Sequence, residues 1–374
     1  MIQTAIFIFI LITIICGRLV FFSPKFLKKS PAFSISSQNT SVSIIIPAKN
    51  EARNLPHLIN SIFKQTAKAE IIVVNDGSDD NTSEVLKSFD VIEVKLDENP
   101  WNGKSFVCYT GVDYASHDLI MFMDADIEFT DSHALEQMIT LYAEQHNSGV
   151  LSVQPRHKTK KLYEKLSAVF NLITVMGINV FSAFKSLNTS STVFGPVMMT
   201  NQFDYKMTDG HRASKEKIIE GEGIFKAYQK YSLPVKLYLG GDNVGMRMYP
   251  NGLKELTGGW SKHIARGSTN THPVHMTMII LFLGGGMTAL SALLISLLIP
   301  SLPIIPALSG YIIYGISFYM LADKVIRLGW LDIFIYPVYI LFFFMIYGLS
   351  WYNINIKKQV VWKGQRISVK KDDD

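Results

Sequence analysis

Apolar residues along this chain fall into two kinds of run, and the two kinds mark different regions. Short β-branched runs, each ended by a polar or acidic turn, recur from Val42 to Pro155: Val42–Pro47 (VSIIIP), Glu70–Val74 (EIIVV), Leu119–Met123 (LIMFM) and Leu151–Pro155 (LSVQP). Continuous apolar stretches of this length, bounded by turn residues, predict fully buried strands. Leu55–Lys64 has helical spacing between the first two. Strand, polar loop, helix, strand, acidic loop is the rhythm of a parallel α/β sheet. The longer runs lie at the two ends, at Met1–Phe22, Met276–Ile299, Ile304–Ala322 and Leu331–Ser350. Their length and scarcity of charge predict membrane-crossing helices.

The expected organisation is therefore an anchor over residues 1–23, a Ser/Asn-rich linker over 24–41, and an α/β domain over 42–270. Membrane segments follow over 276–352, and a basic tail over 353–374. The anchor lacks a basic stretch before its apolar run, and no small-x-small cleavage site follows it, so a retained anchor is expected. Within the domain, 162–184 reads as an interfacial helix, a further span or a core helix. Lysines after the anchor (Lys25, Lys28, Lys29) and basic residues after the last run (Lys357, Lys358, Lys363, Arg366) favour a cytoplasmic side for both. Three complete spans after the α/β domain would put that tail on the far side, against its charge. One C-terminal segment is thus expected to be re-entrant or interfacial, and the sequence does not say which.

Composition sharpens this picture. Apolar residues make up 48% and charged residues 18% of the chain, so more than a soluble core is present. The net charge of +5 suits an anionic leaflet. No basic run interleaved with aromatics points to nucleic acid. Two cysteines, Cys16 and Cys108, exclude a disulfide framework and fit a reducing compartment.

Candidate chemistry gathers at the predicted strand ends. Asn50 and Glu51 follow the first strand, Asp76 the second, and Asp124 and Asp126 the strand Leu119–Met123. In parallel α/β sheets ligands collect beyond the carboxyl ends of the strands, so these loops share one rim. Two carboxylates two residues apart at a strand end suit a hard cation such as Mg²⁺ or Mn²⁺; the plainer reading is an acidic turn. Trp101–Ser105 (WNGKS) contains Gly-Lys-Ser, but Glu98 stands where a phosphate-binding loop needs glycine. Lys104 can still meet a phosphate as a point charge, or stay solvated. Further on, Glu220 and Glu222 are open as a general base or as helix-start carboxylates. Trp260 is open as an aromatic closing over a diphosphate or as an interface anchor.

Taken in order, Ile44–Glu51 (IIIPAKNE), Val73–Asp80 (VVNDGSDD), Asn102–Ser105 (NGKS) and Asp118–Asp126 (DLIMFMDAD) resemble the family 2 glycosyltransferases. That resemblance implies the GT-A nucleotide-sugar fold, a mostly parallel central sheet, here with membrane helices at both ends. It also implies that Pro47, Ala48, Asn50 and Glu51 border a uridine pocket and that Asp76 holds the base or ribose. Lys104 would approach the nucleotide, Asp124 would contact ribose or diphosphate, and Asp126 would coordinate the Mg²⁺ or Mn²⁺. Glu220 would occupy the base position, although Glu220-Gly221 stands where the family commonly has Glu-Asp, so Glu220 and Glu222 both stay in view. A Gln-x-x-Arg-Trp motif of chain-polymerising members has no clean counterpart near Trp260, which favours single transfer.

Phe170–Ser182, Phe194–Asn201 and Gly259–His263 are similar to a bacterial branch of that family acting in staphyloxanthin-type carotenoid biosynthesis. The branch implies an inverting transfer of glucose from UDP-glucose to the carboxylate of a C30 carotenoid acid. It also implies a multi-pass enzyme of the cell membrane with a cytoplasmic catalytic domain, partnered by the bilayer and by enzymes of the same pathway. Two other readings stay open: a relative using diacylglycerol or a polyprenyl phosphate, and a nucleotide-sugar binder without catalysis.

Overall fold

The computed structural model describes residues 2–27, 41–101, 103–185, 192–215, 220–267, 271–355, 359–362 and 365–368. Asn102 of the NGKS segment, most of the expected linker and much of the basic tail lie outside these residues.

In chain order the helices are α1 (Ile2–Val20), α2 (Leu55–Phe63), α3 (Thr82–Leu86), α4 (Lys104–Gly111), α5 (Ala134–Ala143) and α6 (Ala168–Gly177). They continue with α7 (Gln202–Met207), α8 (Glu220–Lys230), α9 (Leu253–Gly267), α10 (Pro273–Leu298), α11 (Ile304–Ala322) and α12 (Asp332–Asn355). The strands up to the last span are β1 (Val42–Ala48), β2 (Ala69–Asn75), β3 (Ile92–Lys95), β4 (Leu119–Met123) and β5 (Ile127–Phe129). After them come β6 (Val150–Gln154), β7 (Arg156–His157), β8 (Val197–Asn201), β9 (Val235–Leu239) and β10 (Val244–Met246).

The chain forms two compact units, and neither is continuous in sequence. One comprises 24–156 and 191–247, the other 1–23, 157–190 and 248–374. This differs from the continuous domain over 42–270 that the sequence suggests. Residues 157–190 and 248–270 belong with the apolar helices, and the α/β unit begins before Val42. There Leu27 N–H donates to Leu239 O at 3.1 Å, and Leu239 N–H to Lys25 O at 2.7 Å.

The α/β unit is built on a seven-stranded sheet ordered β3-β2-β1-β4-β8-β6-β9. β1 runs parallel to β2 and β4, β2 to β3, and β6 to β9, while β8 runs antiparallel to both its neighbours, β4 and β6. Every residue of β4 is buried, as are all of β1 except Pro47, because helices cover both faces of a mostly parallel sheet. α4 approaches unusually close. A Cβ on Gly111 would lie 2.4 Å from Ile45 and 2.9 Å from Val74, so only glycine permits this contact. The approach sets the start of α4, with Lys104, near the ends of the strands it covers.

The other unit carries α1, α10, α11 and α12, and among the described residues these four helices are long and apolar enough to cross a membrane. α6 and the 3-10 turn Leu162–Ser167 pack with α9 in the same unit. Small residues let the long helices close up. A Cβ on Gly17 would overlap the Phe282 ring at 2.4 Å, and one on Gly285 the Thr13 hydroxyl at 1.9 Å.

Candidate active site

Two loops at the ends of β1 and β2 are stitched together by their own polar side chains. Asn50 adopts a left-handed backbone (φ 61°), which asparagine tolerates better than most residues. In that conformation its Oδ1 accepts from Asp79 N–H at 2.8 Å, and its own N–H donates to Ser78 Oγ at 2.9 Å. Glu51 N–H donates to Thr82 Oγ1 at 3.0 Å, and Asp76 N–H to Ala48 O at 2.9 Å. Asp76 pairs with Lys49 at 3.6 Å and remains half-buried. Pro47 and Ala48 end β1 beside Val74 and Asn75. The residues expected to border a nucleotide base thus form one rigid rim.

The third strand end carries the charge. β4 stops at Met123, and Asp124 N–H donates to Pro196 O at 3.0 Å, which turns the chain out of the sheet. Lys104 Nζ lies 2.5 Å from Asp124 Oδ1, 3.0 Å from Gly195 O and 4.0 Å from Glu220 Oε2. Burial works against the ammonium charge, but Asp124 and Glu220 outweigh it and hold the Lys104 pKa above its ordinary value. The lysine thereby ties the end of β4 to the start of α8.

Glu220 belongs to this network. Burial raises its pKa, Lys104 opposes that, and Ser105 supplies a hydrogen bond to its carboxylate. Its position also explains why glycine follows. A Cβ on residue 221 would fall 2.3 Å from both Val193 O and Thr192 Oγ1, while Gly221 O accepts from Val193 N–H at 3.2 Å. No side chain fits at 221, so an acidic residue cannot stand there, and Glu220 is the carboxylate brought into contact with Lys104 and Ser105.

Asp126 is half-buried. Burial, then the negative charges of Asp124 and Glu51, push its pKa up to about 7, with Lys104 pulling the other way. A half-buried carboxylate pressed toward neutrality by its neighbours is a position that a cation would relieve. Among the described residues no three His, Cys, Asp or Glu side chains converge to hold a metal alone. A cation beside Asp126 would accordingly complete its shell with oxygens from a ligand or water, as Mg²⁺ commonly does.

Behind the acidic strand end, sequence reasoning missed a support. The His211 ring meets Phe122 edge-on with centroids 4.5 Å apart, and its Nδ1 hydrogen-bonds Tyr205 Oη at 2.9 Å. Burial, with Lys104 adding to it, lowers the His211 pKa to about 3, so the ring is neutral. The Gly-Pro pair at 195–196 and the TDGH turn were visible as punctuation, but their link to β4 runs through tertiary contact. Trp260, the remaining expected site residue, is buried. It lies in the other unit, 5% exposed, stacked on Phe170 at 4.7 Å, with Nε1–H donating to Ser167 Oγ at 2.9 Å. Its indole is a core residue there, which corrects the expectation of an aromatic free to close over a diphosphate.

The model of glycosyl transferase family 2 matches residues 43–205. The 4,4'-diaponeurosporenoate glycosyltransferase of Staphylococcus aureus strain USA300 is 39% identical over 360 residues, 96% of this chain and 95% of that protein. Its counterpart from strain N315 is 38% identical over the same span. Among solved structures, the mannosyltransferase PcManGT from Pyrobaculum calidifontis, in complex with GDP-Man and Mn²⁺, superposes with a TM-score of 0.53. It shares 14% identity and covers 93% of this chain and 96% of its own, a likeness of fold. The sheet and its one reversed inner strand are those of a GT-A fold.

Proposed function

The chain belongs to glycosyl transferase family 2 and is a glycosyltransferase, and on that premise we propose that it transfers glucose from UDP-glucose to the carboxylate of a C30 carotenoid acid, 4,4'-diaponeurosporenoate, at a membrane surface. The observation that carries the chemistry is the Lys104–Asp124–Glu220 network beside Asp126 at the shared strand-end rim. The acceptor is proposed from the name of the relatives that match nearly the whole chain.

In this reading Pro47, Ala48, Asn50, Glu51 and Asp76 hold the uridine end of the donor. Asp126, with Asp124, is where Mg²⁺ or Mn²⁺ would be held. When bound, that ion neutralises charge on the donor diphosphate and so stabilises the leaving group. Lys104 keeps Asp124 and Glu220 in register and places a fixed positive charge beside the departing diphosphate, where preorganised charge counts most. The acceptor oxygen attacks the anomeric carbon from the face opposite the leaving group, so the configuration inverts.

A carboxylate acceptor, with an ordinary pKa of roughly 4, is already ionised near neutral pH. It carries no proton for Glu220 to remove. Glu220 then serves mainly to hold Lys104, and Ser105 to orient Glu220.

The test is UDP release by membranes containing the protein, given UDP-glucose and Mn²⁺, with and without diaponeurosporenoate. Acceptor-dependent release that disappears in Asp126→Asn supports the reading. Release driven by diacylglycerol or a polyprenyl phosphate instead would move the acceptor and keep the mechanism. No release with any sugar nucleotide would leave a binding protein.

A further inference from the structure

Length and composition make α12 a candidate span like α1, α10 and α11. At 24 residues it is about 36 Å long, enough for a hydrocarbon core of about 30 Å. A helix that crosses must leave its two ends on opposite sides of the bilayer. The contacts of α12 run otherwise.

Its first residue, Asp332, lies 2.7 Å from Lys165 Nζ, on the turn Leu162–Ser167. Toward its other end, Ser350 Oγ donates to Ser261 O of α9 at 2.9 Å. Between these points Phe342 and Phe343 meet Phe170 of α6, and Ile346 is buried with Leu256 and Trp260 of α9. The turn, α6 and α9 are themselves one platform. Trp260 bonds Ser167, and Tyr163 Oη donates to Tyr249 O at 2.8 Å. Both ends and the middle of α12 therefore rest on the same layer.

That layer sits at one end of the α10–α11 hairpin. His157 N–H donates to Val325 O and Arg327 N–H to His157 O, each at 2.8 Å, just past the last residue of α11. α9 leads into the first residue of α10 through residues 268–272. Where α12 meets the hairpin, its early residues press on the middle of α11. Pro337 has no N–H to offer the Ile333 carbonyl. That carbonyl lies against Gly315, where a Cβ would come within 2.1 Å of it. Tyr311 Oη donates to Phe334 O, and Tyr336 stacks near Tyr314. Tyr311 is still about two turns short of the far end of α11 at Ile304.

We infer that α12 does not cross the bilayer. It lies within the leaflet on the platform side and returns the chain to the side from which α10 departs. One face, with Tyr336, Ile340, Ile346 and Ser350, is buried on the protein. The opposite face exposes Phe334, Val338, Leu341, Met345, Leu349 and Tyr352 as one continuous apolar stripe. The occupant of that stripe is the acyl layer of a single leaflet, continuous with the lipid around the exposed apolar residues of α10 and α11, such as Ile280 and Ile316. The arrangement puts a basic tail on the side its charge favours. The inference does not depend on the proposed substrates.

Full-length single-site variants in sealed vesicles of either orientation test this, with the parent chain, whose Cys108 is buried, as the labelling blank. Glu84→Cys marks the α/β unit, Ser301→Cys the α10–α11 turn, and Asp374→Cys the C-terminus. An impermeant maleimide should label positions 84 and 374 from one side and 301 from the other. Labelling of 374 together with 301, or of all three from one side, overturns the inference. A fluorophore at Val338→Cys, Met345→Cys or Tyr352→Cys, quenched by lipids brominated at shallow or deep acyl positions, gives the depth. A ratio of shallow to deep quenching that stays shallow at 352 and never falls deeper at 345 than at 338 is expected. A ratio that is deepest at 345 and shallow on both sides of it would mean a span. Cross-linking between copies at 345 with no lipid quenching would mean that a second copy covers the stripe, and would also overturn it.

Discussion

Each unit of this protein holds a tight lysine–aspartate pair among its described residues, and the two pairs sit in opposite surroundings. In the apolar unit, Lys165 meets Asp332 at 2.7 Å, with the carboxylate 1% exposed. Asp332 also accepts from Gly329 N–H at 2.5 Å and from Tyr339 Oη, so its oxygens are saturated. In the α/β unit, Lys104 meets Asp124 at 2.5 Å, but both side chains are a quarter or more exposed, and Glu220 shares the lysine at 4.0 Å. Close by, Asp126 is pressed toward neutrality by burial, Asp124 and Glu51. One pair is satisfied and closed. The other sits in a surplus of negative charge that a cationic ligand would relieve, the imbalance expected of the proposed site.

The comparison breaks most visibly at Asp126. Asp126→Asn should lower acceptor-dependent UDP release by about 10³–10⁴-fold, which corresponds to about 4–5.5 kcal/mol of transition-state stabilisation. The same variant should melt no lower than the parent, because the amide removes a charge that Asp124 and Glu51 repel. Loss of activity accompanied by a clear fall in melting temperature would place Asp126 with the structural pair. Asp332→Asn should do the reverse. Depriving the half-buried Lys165 of its carboxylate should cost about 2 kcal/mol of stability, seen as a lower melting temperature in detergent. Turnover per folded molecule should stay near that of the parent, and a selective loss of turnover would give Asp332 a role in the chemistry.

How much of this contrast the sequence carried depends on the distance over which each feature is specified. The rim was legible because a buried run and the polar turn ending it are adjacent in the chain, as at Met123–Asp124 and Val74–Asp76. That Glu220 stands 4.0 Å from Lys104 was not, since the contact joins residues 116 positions apart and is made only by folding. Trp260 misled for a related reason: an aromatic near basic residues reads alike whether it faces a ligand or stacks on Phe170. The interleaving of the two units was only half legible: 162–184 already read as an interfacial helix, a further span or a core helix, but that it and 248–260 join the apolar helices is decided by packing. In α12, an apolar sequence long enough to span says nothing about what both of its ends touch.

Glu220 sharpens the comparison further, because it is a member of the strained cluster whose chemical task depends on the acceptor. Against a carboxylate acceptor, Glu220→Gln should reduce turnover by about tenfold or less, since no proton has to be removed in the transition state. The variant should be assayed beside Asp126→Asn under identical donor and metal concentrations. Equal losses in the two, with donor binding intact, would mean that the acceptor arrives protonated and that Glu220 is its base.

The smallest effect concerns the neutral ring that supports the acidic strand end. His211 has a folded pKa lowered to about 3, whereas an unfolded chain would protonate it near 6.5. Between those values the unfolded state binds one more proton, so this group's contribution to stability is complete above about pH 6.5 and declines as the pH falls. From pH 7 to pH 6 the loss is only about 0.7 kcal/mol. In His211→Asn, whose Oδ1 stands where Nδ1 accepts from Tyr205, that increment should vanish while the pH dependence from all other groups remains. The difference between the two melting curves across pH isolates the ring. An unchanged difference would mean that His211 exchanges its proton in the folded state, and the strand end would then rest on a support that titrates with the site it holds.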